Sequence, residues 1–272
     1  MKLYDFDATF DKKLSEFLLK NPSKYSEEEW EELIPKLYEK FGNTKINALG
    51  KTPVEYYADM SDEELVKTLS SHLKKGVTVS GFLQDEVYAR NLKTLIYNFF
   101  NGEDGEIDFA INYFGSDSAA LQFYLKTLFE SDSKTERKNE VCALLTEKAD
   151  EVKLSVLNYY ERGLERDFAL EILAACKIKD DKIFNILIKE FTFDLENIAK
   201  NAYLLATYGD EKALPTLYKK IDDEDITYVE YTELKYAIER LGGYYDKERN
   251  FELDPYYALI KGQNGSDNNK KS

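Results

Sequence analysis

The chain has 272 residues, of which 43% are hydrophobic, an ample share for a folded core. Its 52 acidic residues against 37 basic ones give a net charge of −15, which repels phosphate backbones and argues against nucleic-acid binding. The first residues carry acids where a secretion signal needs an apolar run, and no stretch approaches the roughly 18 apolar residues of a membrane span, so we expect a cytoplasmic protein with no membrane partner.

Helix starts are marked by a hydroxyl residue followed three positions later by glutamate. The four pairs are Ser26 with Glu29, Thr52 with Glu55, Ser61 with Glu64, and Thr227 with Glu230. In this capping box, the hydroxyl and the carboxylate each accept a bond from a free backbone N–H of the first turn. We therefore expect a helix to begin at each pair. Residues 42–52 are expected to form a loop between the first two.

The region before residue 79 is expected to be helical but irregular. Apolar residues at helical spacing from Val87 to Phe100 predict one further helix, and residues 79–100 resemble a degenerate first repeat of the array described next. His72 is the only histidine. General acid–base catalysis needs a partner group, and none is recognisable near it in the sequence. We interpret His72 as a structural or solvated residue.

The most regular pattern is a helix pair that repeats four times between about residues 109 and 221. Apolar residues occupy positions x, x+1, x+4, x+5 and x+8 of each second helix, with x at 120, 152, 183 and 213, and only Lys153 departs from the pattern. Positions x−11, x−10, x−8 and x−7 of each first helix are also apolar, except for Asn112. Repeat spacings of 32, 31 and 30 residues indicate a stacked helical array.

One unit of this array resembles a known repeat family. Residues 204–217, LLATYGDEKALPTL, resemble the HEAT repeat in its short form of roughly 30 residues, through Gly209, Asp210 and Pro215. The other three units keep fewer of these residues. HEAT-like proteins are mostly scaffolds and adaptors, with a minority of enzymes. The resemblance implies an all-α fold, a right-handed α-solenoid of HEAT-like helix pairs.

These observations predict three regions. Residues 1–78 form a helical N-terminal region, and residues 79–243 form the HEAT-like array. Residues 244–272 form a C-terminal extension, in which the polar run from about residue 262 is expected to be disordered.

Three aspartates share one position of the repeat. Asp117, Asp180 and Asp210 lie at x−3, and Asp150 lies one place later in its unit. Stacked carboxylates could suggest a metal ladder. A helix cap explains the shared position better, because a carboxylate there accepts the free N–H groups of the second helix. We therefore expect caps and predict no metal.

No set of catalytic residues can be assembled from the sequence. Cys142 and Cys176 fall on apolar positions and lack metal-ligand spacing. They are interpreted as buried thiols in a reducing compartment, although a disulfide stays open. The acidic run 222–225 is interpreted as a solvated turn. We predict no cofactor and no enzymatic activity.

A candidate binding surface lies opposite the core of the second helices. At 100° per residue, position x+6 points away from the core positions. The residues at x+6 are Lys126, Asn158, Lys189 and Lys219. Apolar residues beside them at x+2 or x+3 are Phe123, Leu154 and Ile186. Because second helices line the concave side in HEAT-like proteins, the resemblance implies a groove with a basic and polar centre.

The predicted function is a scaffold or adaptor that binds a protein or an extended acidic peptide on this concave face. One alternative is an immunity or antitoxin-like inhibitor whose negative charge counters a basic toxin. A second alternative is a HEAT-like enzyme, a lyase or a glycosylase, which the missing catalytic set disfavours. The sequence leaves the partner's identity and the oligomeric state open.

Overall fold

The structure, a computed structural model, describes residues 3–20 and 25–260, and over these ranges the protein is all-helical. Residues 105–243 contain no strand, and the loop at 42–52 carries a single β-bridge between Ile46 and Lys51. The all-α prediction is confirmed. The predicted disordered tail lies outside the described residues. The chain packs as two compact units, Met1–Ala120 and Leu121–Ser272. The region boundaries predicted from the sequence, at 78/79 and 243/244, stay predictions.

The first unit contains seven helices within the described residues. They are α1 (Phe6–Lys20), α2 (Glu27–Gly42), α3 (Pro53–Ala58), α4 (Asp62–Lys75), α5 (Gly81–Ala89), α6 (Lys93–Ile96) and α7 (Asp104–Phe114), with 3-10 turns at Tyr97–Asn101 and Ser118–Ala120. The capping boxes predicted at Ser26, Thr52 and Ser61 are all present. Local hydrogen bonds therefore set these three helix starts.

The single helix predicted from Val87 to Phe100 is wrong. The chain leaves the helix after α5, because Asn91 adopts a positive φ of 52°, a left-handed conformation that asparagine tolerates better than most residues. It resumes as α6 and the 3-10 turn that follows. Five apolar residues of this segment are nevertheless buried, namely Val87, Leu92, Ile96, Phe99 and Phe100, whereas Tyr88 is exposed. The hydrophobic pattern located the core and missed the break within it.

The second unit contains the helices from α8 onward. They are α8 (Leu121–Phe129), α9 (Thr135–Glu147), α10 (Ala149–Glu161), α11 (Arg166–Ala174), α12 (Asp181–Phe193), α13 (Ile198–Tyr208), α14 (Leu214–Ile221) and α15 (Tyr228–Arg240), with 3-10 turns at Leu195–Asn197 and Glu211–Ala213. Residues 255–260 are also helical. The capping box predicted at Thr227 is present at the start of α15.

The second helices begin where the repeat predicts. The prediction was position x−3, that is 117, 149, 180 and 210, and the helical residues begin at 118, 149, 181 and 211, counting the 3-10 turns that precede α8 and α14. Within the second unit, α9, α11, α13 and α15 pack one on the next, and α8, α10, α12 and α14 each pack on the helix that follows. Positions x, x+4 and x+8 form the core, where Val156, Leu187 and Leu217 are almost completely buried.

Two positions departed from the apolar pattern. Lys153 is only partly exposed, with Nζ 3.8 Å from Asp180, so its aliphatic stem can cover the core while its charge reaches an acid. Asn112 is exposed because the buried face of α7 lies one position later than the pattern predicts, at Ala110, Ile111 and Phe114. The predicted register of α7 is therefore wrong by one residue.

Candidate partner-binding surface

The predicted row of residues is exposed on the second helices of the second unit. Lys126 lies on α8, Asn158 on α10, Lys189 on α12 and Lys219 on α14, and all four are exposed. Each lies two residues beyond the core position x+4 of its helix, and at 100° per residue this is more than half a turn away from it. The 3.6-residue period that buries Leu217 therefore also holds Lys219 in solvent.

The three lysines of this row share a second property. None of them has a salt bridge or a side-chain hydrogen bond to any residue that the structure describes. Several other lysines of the unit are paired: Lys138 Nζ lies 2.6 Å from Glu165, and Lys182 Nζ lies 2.6 Å from Glu161. The side chains of Lys177 and Lys235 also lack a partner among the described residues, but they do not lie in the row. An exposed pair contributes only about 0–1 kcal/mol, so leaving the row unpaired costs little stability. Its charges are free to meet an external anion.

Side-chain contacts tie the second helices to one another. The rings of Phe129 on α8 and Tyr159 on α10 stack at 4.4 Å. Further along, Tyr160 on α10 donates a hydrogen bond to Glu190 on α12. Lys212, in the turn that leads into α14, donates one of 3.1 Å to Asp181 on α12. These contacts place α8, α10, α12 and α14 side by side in chain order, so the exposed row crosses neighbouring helices.

Two of the linking tyrosines are held in their neutral form. Burial, followed by the hydrogen bond to Glu130, raises the pKa of Tyr159 to about 12. Burial, followed by the hydrogen bond to Glu190, raises the pKa of Tyr160 to about 12 as well. Both phenols, which any tyrosine keeps protonated at neutral pH, therefore stay protonated in mildly alkaline solution as well and act as hydrogen-bond donors between repeats.

Apolar surface accompanies the lysines. Leu154 is 74% exposed, whereas Phe123 and Ile186 are partly buried. A depression of about 230 Å³ between α12 and α14 has Lys219 among its lining residues, together with Phe191, Thr192, Leu195, Thr216, Lys220 and Asp223. Leu195 is 63% exposed and was not predicted, because it lies in a 3-10 turn outside the repeat pattern. The surface combines free positive charge with accessible apolar contacts.

The shared aspartates cap helices, as predicted. Asp180 accepts bonds from the N–H groups of Lys182 and Ile183, Asp210 accepts one from Lys212, and Asp117 accepts one from the N–H of Ala119. Asp150 acts differently, since its carboxylate accepts the N–H groups of Lys177 and Ile178 at 3.2 and 3.1 Å. It therefore ties its repeat to the turn before α12. Over residues 3–20 and 25–260, no group of three or more His, Cys, Asp or Glu residues is arranged to hold a metal ion.

The two cysteines and the histidine are structural. Cys142 and Cys176 are free and buried, and burial raises their pKa values to about 12 and about 11, so the nucleophilic thiolate is scarce at neutral pH. His72 is completely buried, with Nδ1 2.9 Å from the Thr78 carbonyl oxygen. Because a carbonyl only accepts, the His72 Nδ1–H is the donor.

The acidic run 222–225 is an exposed turn, as predicted, but its first residue is also paired. Asp222 accepts hydrogen bonds of 2.7 Å from Tyr245 Oη and from Lys247 Nζ. These bonds, the one from Lys247 first, lower the pKa of Asp222. The first residue of the run therefore anchors the segment that follows α15, a role that no local sequence pattern could reveal.

Comparison of the chain with protein-family models, with curated proteins and with solved structures finds no match. Within the described part of the chain, no helix combines the length and the apolarity needed to cross a membrane. Function is therefore inferred from the chemistry of the surface itself.

Proposed function

We propose that the protein is a non-catalytic adaptor that binds an extended acidic segment of a partner protein across α8, α10, α12 and α14. One observation carries the proposal. Lys126, Lys189 and Lys219 are exposed at the same position of successive repeats, and none of them is paired with a described residue, although the chain has a net charge of −15. A free basic row on an acidic protein is suited to an acidic ligand, because the rest of the surface repels it.

The scaffold of this proposal is a right-handed α-solenoid of HEAT-like helix pairs with the second helices on its concave side. Two findings support it. Helix starts recur every 30 to 32 residues, and α9, α11, α13 and α15 pack each on the next. Repeat proteins in which each unit contacts mainly its neighbours build extended binding surfaces. The second helices would then line a continuous groove.

The row also defines a spacing for the acids of the ligand. Neighbouring packed helices lie about 8–10 Å apart, and an extended chain advances about 3.4 Å per residue. Lys189 and Lys219 lie one helix step apart, which corresponds to about two or three ligand residues. Lys126 and Lys189 lie two steps apart, which corresponds to about five or six. Asn158 lies between them and offers its amide to the ligand backbone.

The remaining parts of the proposal rest on the thiols and the charge. Buried free thiols of raised pKa suit a protein of the reducing cytoplasm and supply no nucleophile. The inhibitor alternative would place the partner on acidic surface instead of on the lysine row. The two readings therefore differ in which surface a mutation must change.

The test reverses the three lysines together. Fluorescein-labelled peptides with acids at the spacing given above are titrated with the protein, and binding is followed by fluorescence anisotropy. We expect saturable binding that weakens as salt rises, because exposed charges are screened. The triple variant Lys126→Glu, Lys189→Glu, Lys219→Glu should lose it, with little change in stability, since exposed substitutions stay within about ±0.5 kcal/mol.

A matched control carries the same change of charge away from the row. The triple variant Lys177→Glu, Lys200→Glu, Lys235→Glu lies in the same unit and should retain most of the binding. It also breaks the exposed 2.7 Å pair of Lys200 with Asp167, which is worth only about 0–1 kcal/mol. Equal loss in both variants would mean that only net charge matters. Full binding by the row variant would exclude the lysine row as the site.

A further inference from the structure

A second candidate site lies between α1 and α2, in the first unit. A groove of about 300 Å³ is lined by Phe10, Lys13, Leu14, Phe17, Leu37, Lys40, Phe41 and Thr44. This volume is at the lower end of the range for small-molecule sites, about 300–1,000 Å³. Five of the eight lining residues are apolar and two are lysines, and no acid lines the groove. In a chain with 52 acidic residues, this composition favours a ligand that is apolar and anionic.

The floor of the groove is held by aromatic packing. Phe10 lies 5.0 Å from Tyr38 and 5.6 Å from Phe41 between ring centroids. Tyr38 also donates a 2.6 Å hydrogen bond to Asp7, which ties α2 to α1. Phe10 and Phe41 are both buried. The groove therefore has a base fixed by contacts of its own and does not depend on a ligand to form.

The two ends of the groove differ chemically. Phe10 packs on Phe41 at one end, and Phe17 packs on Trp30 at the other, at 6.1 Å, so the two helices run antiparallel. Lys13, Lys40 and Thr44 line the end near Phe41. The opposite end is apolar. The groove is thus polarised along its length.

The lysines at the polar end are available for a ligand. Neither Lys13 nor Lys40 has a salt bridge to any residue in the described ranges. Lys13 Nζ lies over the ring of Phe41, 5.0 Å from its centroid, which places its charge above the groove floor. A ligand carboxylate at this end would interact with both lysines. Its charged bond to Lys13 would be stronger than the contact that Lys13 now makes with the Phe41 ring.

We propose that this groove binds a medium-chain aliphatic carboxylate. The carboxylate lies between Lys13 and Lys40, and the alkyl chain lies along Leu14, Phe17 and Leu37. Phe10 and Phe17 are seven positions apart on α1, which corresponds to about 10 Å at 1.5 Å per residue. This length suits a medium chain and leaves a longer one partly in water. The site is independent of the lysine row proposed above, so either can fail without the other.

The chain contains its own reporter for this site. Trp30 is the only tryptophan, it is partly exposed, and it contacts Phe17 at the apolar end of the groove. Excitation at about 295 nm should select it over the tyrosines. The full-length protein is titrated with hexanoate, octanoate and decanoate below their micellar concentrations, and Trp30 emission is recorded.

We expect a saturable change in Trp30 emission. The affinity should rise about fourfold for each added CH₂ until the groove is filled. Octanol should bind at least tenfold more weakly than octanoate, because it lacks the charge that the lysines recognise. The variant Lys13→Gln, Lys40→Gln should lose the preference for octanoate over octanol while keeping the fold, as checked by circular dichroism.

A control variant changes lysines of the same two helices outside the groove. This variant, Lys12→Gln, Lys36→Gln, should bind as the unmutated protein does. Absence of binding by all three carboxylates, in emission and in calorimetry, would overturn the proposal and favour a partner helix as the occupant. Equal binding of octanol and octanoate, or full preference in the Lys13→Gln, Lys40→Gln variant, would overturn the role of the lysines.

Discussion

Leu217 tests the repeat most directly, because its position in the core follows from the repeat alone. It lies at x+4 of α14 and is completely buried. The substitution Leu217→Ala removes three carbons, which at about 0.8 kcal/mol each amounts to about 2.4 kcal/mol of lost burial. The cavity that remains adds to this, so the full cost should be about 2–5 kcal/mol.

The measurement is urea unfolding followed by far-UV circular dichroism. Leu154→Ala is the matched control, because Leu154 belongs to the same unit and is 74% exposed. Its effect should stay within about ±0.5 kcal/mol. If the two substitutions shifted the unfolding midpoint equally, or if Leu217→Ala shifted nothing, the burial deduced from the repeat would be refuted.

Two further predictions concern acidic side chains. Asp210→Asn should be nearly neutral because an amide oxygen also caps a helix, whereas Asp210→Ala should cost about 0.5–2 kcal/mol; equal damage by both in thermal melts would exclude capping as its role. Glu106 is buried, and although burial alone raises its pKa, bonds from Ser70, from the N–H of Glu103 and from Lys74 outweigh that effect and lower it. Because the pKa of Glu106 is lower in the folded state, its ionised carboxylate stabilises the fold above the ordinary pKa of a carboxyl group. This stabilisation is lost as pH falls through the pKa of the folded state. Unfolding free energy measured between about pH 6 and pH 3 should therefore fall less steeply in Glu106→Gln, and identical slopes would contradict the assignment.

Features that depend on near neighbours in the chain were predicted from the sequence. The four capping boxes are present because a hydroxyl and a glutamate three residues apart meet in any first helical turn. The second helices begin within one residue of the predicted positions, since apolar periodicity marks each start and a capping aspartate marks the same point in three of the four repeats. The exposure of Lys126, Lys189 and Lys219 follows from the same period.

Features that depend on distant residues were missed. Asp150 was grouped with the capping aspartates, yet its partners are N–H groups 27 and 28 residues further on. Glu106 is held by Ser70, 36 residues earlier. The break at Asn91 was hidden because the hydrophobic pattern runs through it. The groove between α1 and α2 was also invisible, because Phe10 and Phe41 come together only when the two helices pack.

The sequence by itself determined the all-helical fold, the starts of the second helices and the outward direction of the lysine row. These follow from hydrogen bonds and side-chain periodicity within one or two helical turns. Only the tertiary structure decided which charges are paired, which residues of distant segments pack together in the core, and which helices enclose a groove. Those outcomes depend on contacts between residues about 30 positions apart, such as Tyr160 with Glu190 or Phe10 with Phe41. A lysine is free for a partner only if packing brings no acid beside it, and that is a property of the folded chain.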